Sequence, residues 1–130
     1  MGYEFSVSDV LPAGPEAVYE AWLSSEKHGA MTGGGAEIDP QIGGEFMAWD
    51  GYIRGRTLEL EPGRRIVQSW RTSEFGAADL DSEIEVLLEP VPEGARITIN
   101  HRHIPAGQSG YEQGWRDNYF DPMREYFSQG

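Results

Sequence analysis

The two histidines best placed for chemistry are separated by a single residue. His101 and His103 end the segment Ala95–His103, in which Ile97 and Ile99 alternate with polar residues. Alternate side chains of a β-strand lie on one face, so this pattern predicts that both imidazoles face the core. Two imidazoles on one face can bind one metal ion, and a neutral imidazole near pH 7 can act as a general acid or base.

Neither of these two roles has further support in the sequence. Two histidines do not complete a zinc site, and the candidate carboxylates Glu45, Asp50 and Glu74 lack a diagnostic spacing. No Gly-x-Ser-x-Gly or other nucleophile motif occurs. We therefore assign no catalytic residue, no metal ligand and no cofactor, and we expect the histidines to be hydrogen-bonded groups that line a cavity or its rim.

Large apolar side chains form the second kind of candidate site. Sites for small molecules are mostly apolar and aromatic, with a few polar anchors. A solid core is the alternative, because aromatic residues at helical spacing are common in cores. Trp49 is a further aromatic residue that could line such a pocket. The candidate ligand-binding residues are Trp22, Met31, Phe46, Trp70, His101, His103, Trp115, Tyr119 and Met123.

Composition restricts the class of protein. A chain of 130 residues has the length of a single domain, here residues 1–130, with one core. The net charge of −12 opposes binding to nucleic acid and to anionic lipid, and we expect no nucleic-acid partner. The chain has no cysteine, no basic-then-apolar leader and no apolar stretch of roughly 20 residues, so we expect a cytoplasmic protein without a membrane span.

The first third of the chain predicts one strand and two helices. Tyr3–Val10 alternates apolar and polar residues like a half-buried strand. Pro15 opens a helix whose apolar face contains Val18, Ala21 and Trp22. A second short helix is expected over Ser25–Met31, and three glycines at 33–35 predict a break or a mobile loop.

The middle of the chain predicts an antiparallel meander. Asp50-Gly51 and Glu61-Pro62-Gly63-Arg64 are turn sequences that separate apolar, β-branched segments. Asp81–Glu89 alternates apolar and acidic residues, so one face meets the core and the other meets water.

The end of the chain predicts a long amphipathic helix. Ser109 followed by Glu112 has the spacing of a capping box. An aromatic stripe follows at helical spacing, and Pro122 is expected to kink the helix because it cannot donate to the Asn118 carbonyl. The order of elements predicts an α+β fold, in which a curved antiparallel sheet wraps around the long C-terminal helix and two short helices follow the first strand.

Several of these motifs together resemble the SRPBCC or START-like superfamily, which has the helix-grip (Bet v 1-like) fold. Within it, the chain is similar to the family of the C-terminal domain of the activator of Hsp90 ATPase. The residues that carry the resemblance are Pro15–Trp22, Gly43-Gly44-Glu45-Phe46, Asp50-Gly51, Gly55, Glu61-Pro62-Gly63-Arg64, Trp70, Gly114-Trp115 and Tyr126-Phe127.

The resemblance implies three functions. The first is binding of an apolar or aromatic small molecule between the sheet and the C-terminal helix. The second is interaction with an Hsp90-type chaperone as a protein partner. The third is a cyclase- or hydrolase-like enzyme that uses the pocket histidines. We expect the first, because it requires no chemistry beyond the aromatic walls and the polar anchors.

Overall fold

Seven antiparallel strands form one sheet in the order β1-β7-β6-β5-β4-β3-β2. The computed structural model describes residues 2–129. The last strand, β7, therefore pairs with the first strand, and it lies between β1 and β6. The strands are β1 (Tyr3–Leu11), β2 (Glu37–Ile38), β3 (Glu45–Ala48), β4 (Ile53–Glu61), β5 (Arg65–Thr72), β6 (Ser82–Val91) and β7 (Gly94–Ile104).

The helices lie at the two ends of the chain. Two short helices, α1 (Pro15–Leu23) and α2 (Ser25–Thr32), follow β1 as the sequence predicts. The C-terminal helix, residues 111–128, consists of α3 (Tyr111–Trp115), a π-helical turn (Arg116–Phe120) and α4 (Asp121–Ser128). Within residues 2–129, no helix has the length and apolar character needed to cross a membrane.

The C-terminal helix covers the inner face of the sheet. Ile84 and Val86 of β6 pair with His101 and Ile99 of β7, and all four side chains are buried. The helix contributes to the same core cluster with Tyr111, Trp115, Tyr119, Phe120 and Met123. Burial of each large apolar side chain stabilises the fold by roughly 1.5–3 kcal/mol, so this interface contributes substantially to stability. The predicted helix-grip arrangement is confirmed.

A β-bulge near the end of β7 changes which side chains face the core. Phe5 of β1 pairs with His101, but Tyr3 pairs with Ile104, so β7 has one extra residue in this interval. His103 takes the left-handed φ of 59° and is exposed, whereas Ile104 is fully buried. The predicted core-facing position is therefore confirmed for His101 and wrong for His103.

The C-terminal helix accommodates Pro122 through the π-helical turn that precedes it. The Asp121 N–H bonds to the carbonyl of Arg116, five residues back, so the wider turn absorbs the proline and backbone angles stay helical through Phe120 and Asp121. The helix begins after Gly110, which has a left-handed φ of 86°, and no side chain caps it. The predicted capping box at Ser109 is wrong.

The backbone angle of His103 gives a test of the bulge. We expect His103→Gly to keep the free energy of unfolding within about 1 kcal/mol of wild type, because glycine adopts positive φ freely. His103→Val should lower it by about 1–2 kcal/mol, because a β-branched residue is strained in this region. Urea denaturation measures both. The reverse order, with Val the more stable, would mean that His103 is extended.

Candidate functional site

A cavity of about 350 Å³ lies between the first half of the C-terminal helix and the side of the sheet formed by β4 and β5. This volume is within the range of small-molecule sites. Among the described residues that line it, none is charged and more than half are aromatic. They are Trp49, Tyr52, Ile53, Trp70, Ser109, Gly110, Tyr111, Gly114, Trp115, Asn118 and Tyr119.

Three of the candidate ligand-binding residues line this cavity, namely Trp70, Trp115 and Tyr119. Four others are buried in the core without lining it: Trp22, Met31, His101 and Met123. Phe46 lines a separate shallow groove beside β2 and β3, and His103 is exposed. The binding role of all nine residues remains a prediction.

The cavity also has walls that were not among the candidate residues. Tyr111 begins the helical stripe, and Asn118 lies one turn before Pro122. Both residues could therefore have been identified as candidates from their positions in the predicted helix. Tyr52 and Ile53 follow the Asp50-Gly51 turn, and nothing in the local sequence indicates that this turn faces the C-terminal helix.

The turn after β3 holds Trp49 in an unusual conformation. Trp49 and Asp50 have left-handed φ values of 52° and 58°. The Asp50 N–H donates to the Gly35 carbonyl at 3.0 Å, and the Gly35 N–H donates to the Asp50 carboxylate at 3.0 Å. A side chain on Gly34 would lie 2.5 Å from the Trp49 ring. The glycines that follow α2 therefore leave the space that the Trp49 ring occupies.

One buried polar atom of a residue that lines the cavity has no hydrogen-bond partner among the described residues. The indole Nε1–H of Trp49 is buried and finds no hydrogen-bond acceptor among the described residues. A buried unpaired donor costs roughly 1–3 kcal/mol, so such groups are rare and call for an explanation.

His101, behind the cavity wall, forms hydrogen bonds with both of its ring nitrogens. The Trp115 Nε1–H donates to His101 Nδ1 at 3.1 Å. The Ser82 hydroxyl donates to the Trp70 carbonyl at 2.7 Å, so it accepts from His101 Nε2, 2.9 Å away. These partners require a neutral imidazole protonated at Nε2.

His28 forms a second buried bridge to the C-terminal helix. Its Nδ1–H donates to the Trp22 carbonyl at 2.8 Å, which leaves Nε2 to accept from the Tyr119 hydroxyl at 2.9 Å. The Trp22 indole in turn donates to Gln68 at 3.1 Å. No pattern in the sequence indicates a role for His28, because its partner on the C-terminal helix, Tyr119, lies 91 residues away along the chain.

Burial lowers the pKa of both histidines. The pKa of His28 falls from 6.5 to about 4 and that of His101 from 6.5 to about 3, in each case because the charged form loses its hydration. Burial also raises the pKa of Tyr119 well above its ordinary value of 10. All three groups are therefore neutral near pH 7.

The arrangement does not favour acid–base or metal chemistry by these histidines. Both ring nitrogens of His28 and of His101 are already hydrogen-bonded, so neither is free to exchange a proton with a bound compound. The bulge separates the buried His101 from the exposed His103. Across residues 2–129, no group of three or more His, Cys, Asp or Glu side chains is placed to hold a metal ion.

The fold and the aromatic cavity place the chain in the class of helix-grip proteins. Residues 12–128 match the family described as activator of Hsp90 ATPase homolog 1-like protein. The chain belongs to this family, as its sequence motifs predicted.

Relatives with assigned names include the human activator of 90 kDa heat shock protein ATPase homolog 1, which is 24% identical over 98% of this chain. A Dictyostelium discoideum activator is 27% identical over 88% of this chain. The chain spans only 38% and 30% of the lengths of these two proteins. The crystal structure of an HSP90 activator from Plasmodium falciparum has a TM-score of 0.87 with 23% identity, covering 98% of this chain and 97% of that one.

The two buried histidines predict a specific pH dependence of stability. The unfolded chain binds protons near pH 6.5, whereas the folded protein resists them down to about pH 4 and about pH 3. The unfolded state therefore binds more protons below pH 6.5, and the free energy of unfolding should fall as pH falls. The expected slope approaches about 1.4 kcal/mol per pH unit for each histidine.

Denaturation between about pH 6.5 and pH 5, above the ordinary carboxyl range, measures this slope. His28→Gln and His101→Gln should each reduce this slope by about 1.4 kcal/mol per pH unit, which corresponds to one proton fewer bound on unfolding. In an NMR titration of the folded protein, the imidazole resonances of His28 and His101 should stay in the neutral form over this range. Titration of either near pH 6.5 contradicts the assignment.

Proposed function

We propose that this protein binds an uncharged aromatic small molecule in the cavity between the sheet and the C-terminal helix. The observation that carries this proposal is the lining itself, which is rich in aromatic rings and contains no charged side chain among the described residues. Apolar, concave walls with a few polar groups are typical of small-molecule sites.

The hydrogen bonds behind the walls support a preformed site. Trp115 is fixed to His101, Tyr119 to His28, and the Tyr111 hydroxyl lies 2.8 Å from Thr72 Oγ1. Side chains held in this way cannot easily rotate inward to fill the space. A site that is already ordered binds with a smaller entropy cost.

The edge of the cavity supports access from solvent. Asn118, Ser109 and Gly110 are exposed and Tyr52 is partly exposed, although all four line the cavity. The hydroxyl of Tyr52 donates to Glu74, which holds this ring at the rim. A ligand can therefore enter between the helix and the Tyr52 turn without unfolding of the sheet.

A second candidate function is interaction with an Hsp90-type chaperone. It is favoured by the family of the chain and by the names of the human and Dictyostelium discoideum relatives. The test is binding of the purified chain to an Hsp90-type chaperone by calorimetry, together with the ATPase rate of that chaperone. Neither binding nor a change in rate would remove this candidate.

Native mass spectrometry tests the ligand-binding proposal directly. The protein purified from its own cells should carry a compound of defined mass, and neutral aromatic compounds should raise its melting temperature. If no compound co-purifies and no compound raises the melting temperature, the proposal is wrong.

A pair of substitutions at Gly114 separates cavity occupancy from stability. Gly114 lies in the helix and lines the cavity, and a Cβ there would meet only the Asn118 amide at 3.8 Å. Gly114→Ala should raise the free energy of unfolding by about 0.5–1 kcal/mol, because alanine favours the helix. Gly114→Leu should stay folded but occupy the cavity.

We expect ligand-induced shifts in melting temperature to persist in Gly114→Ala and to disappear in Gly114→Leu. Circular dichroism confirms that both variants are folded. Unchanged ligand shifts in Gly114→Leu would place the binding site elsewhere.

A further inference from the structure

We propose that the Asn118 carboxamide orients the ligand by a hydrogen bond, so that the cavity selects flat aromatic compounds with an uncharged hydroxyl or carbonyl group at one end. This inference rests on the proposed function and names the chemical class of ligand that the site takes. Its basis is the position of an exposed amide at the end of the helical wall of an aromatic cavity.

One ridge of the C-terminal helix faces the cavity with little side-chain bulk. Gly110, Gly114 and Asn118 follow one another at a spacing of four residues, and all three line the cavity. Residues at this spacing lie on the same side of a helix. Two of the three have no side chain, so a flat ring can lie against the helix backbone. The ridge is about 12 Å long, which is enough for two fused rings.

The amide of Asn118 lies beside this open space. Apart from the helix backbone and the two chain neighbours, a Cβ on Gly114 would have one neighbour within 4 Å, the Asn118 Nδ2 atom at 3.8 Å. Gly114 itself lines the cavity, so the amide is adjacent to the space that a ligand would occupy. Asn118 is also exposed, and its polar atoms are therefore accessible to a bound compound.

The carboxamide is the best-placed polar group of the helical wall. The hydroxyls of Tyr52, Tyr111 and Tyr119 each donate a hydrogen bond to another side chain of the protein. The amide of Asn118 has two N–H donors and one carbonyl acceptor, so it can donate to a carbonyl group or accept from a hydroxyl group. The hydroxyl of Ser109 lies at the opposite end of the ridge.

Two irregular features of the helix coincide at this wall. A glycine inside a helix is unfavourable by about 1 kcal/mol relative to alanine, and at Gly114 it leaves space beside the amide. Asn118 lies within the π-helical turn Arg116–Phe120, and such turns are frequent at functional sites. Departures from regular structure of this kind are expected where a protein binds or reacts.

The surroundings of the cavity favour an uncharged polar group. None of the described lining residues carries a charge that could pair with an ionised ligand. The protein as a whole has a net charge of −12, which repels anions. Burial of an unpaired charge in an apolar site is strongly unfavourable, whereas a hydroxyl or carbonyl group needs only one hydrogen-bond partner.

Three naphthalene probes test the contribution of the polar group. 2-Acetylnaphthalene has a carbonyl acceptor, 2-naphthol has a hydroxyl group, and 2-ethylnaphthalene has neither. Dissociation constants are measured by calorimetry. The quantity of interest is the affinity of each polar probe relative to the hydrocarbon, compared between wild type and variants, because this comparison cancels the different hydrophobicity of the probes.

The variants form a matched set. Asn118→Leu removes the amide, and Gln113→Leu makes the same change at an exposed position of the helix that does not line the cavity. We expect Asn118→Leu to reduce both relative affinities about two- to tenfold, the effect of one hydrogen bond, and Gln113→Leu to leave them unchanged. Asn118→Asp removes the N–H donors, so it should reduce the relative affinity of the ketone but not that of the naphthol.

The outcomes separate this inference from the proposed function. If the probes bind but Asn118→Leu leaves both relative affinities unchanged, the cavity binds ligands and the role of Asn118 is refuted. An equal loss in Gln113→Leu, or a loss in Ser109→Ala without one in Asn118→Leu, also refutes it. An unchanged relative affinity of the ketone in Asn118→Asp rules out donation by the amide. If no probe binds wild type, this ligand class is overturned, while a compound found by native mass spectrometry would still support the cavity.

Discussion

The hydrogen bond between Trp115 and His101 is the contact on which the arrangement of helix and sheet depends. The inner sheet face is apolar and must be covered, and the C-terminal helix covers it together with side chains of α1 and α2. Trp115 brings a polar atom into that interface, and His101 with Ser82 behind it satisfies this atom. Removal of one partner would leave a buried polar group unpaired, so the register of helix against sheet is fixed by this chain of contacts as well as by apolar packing.

The same constraint explains why the buried histidines are structural. A ring whose two nitrogens are both bonded to fixed partners is held neutral, and its pKa falls to about 3 at His101 and about 4 at His28. Such a group orients Trp115 or Tyr119 at the cavity wall but has no proton to exchange there. The histidines thus position aromatic walls of the cavity, an arrangement that fits the ligand-binding hypothesis better than the enzymatic one.

The turn at Trp49 combines a strained backbone with an unpaired buried polar atom. Many buried polar side chains have partners, as Gln68 has in Thr57 and Trp22, whereas the Arg102 Nε atom, like the Trp49 indole nitrogen, has no hydrogen-bond partner among the described residues. Proteins that are otherwise locally consistent depart from that consistency mainly at functional sites.

Local pattern determined most of the fold: alternation gave the strands, helical spacing gave the C-terminal helix, and turn residues and motifs indicated the family. The candidate site was predictable only in part, since Trp70, Trp115 and Tyr119 line the cavity while Trp22, Met31 and Met123 do not. Only the tertiary structure decided that His103 leaves the core, because the bulge depends on pairing with β1, about one hundred residues away. It likewise decided which polar atoms find partners. Periodicity reports which face of an element is apolar, but a hydrogen bond or a cavity depends on where distant elements meet.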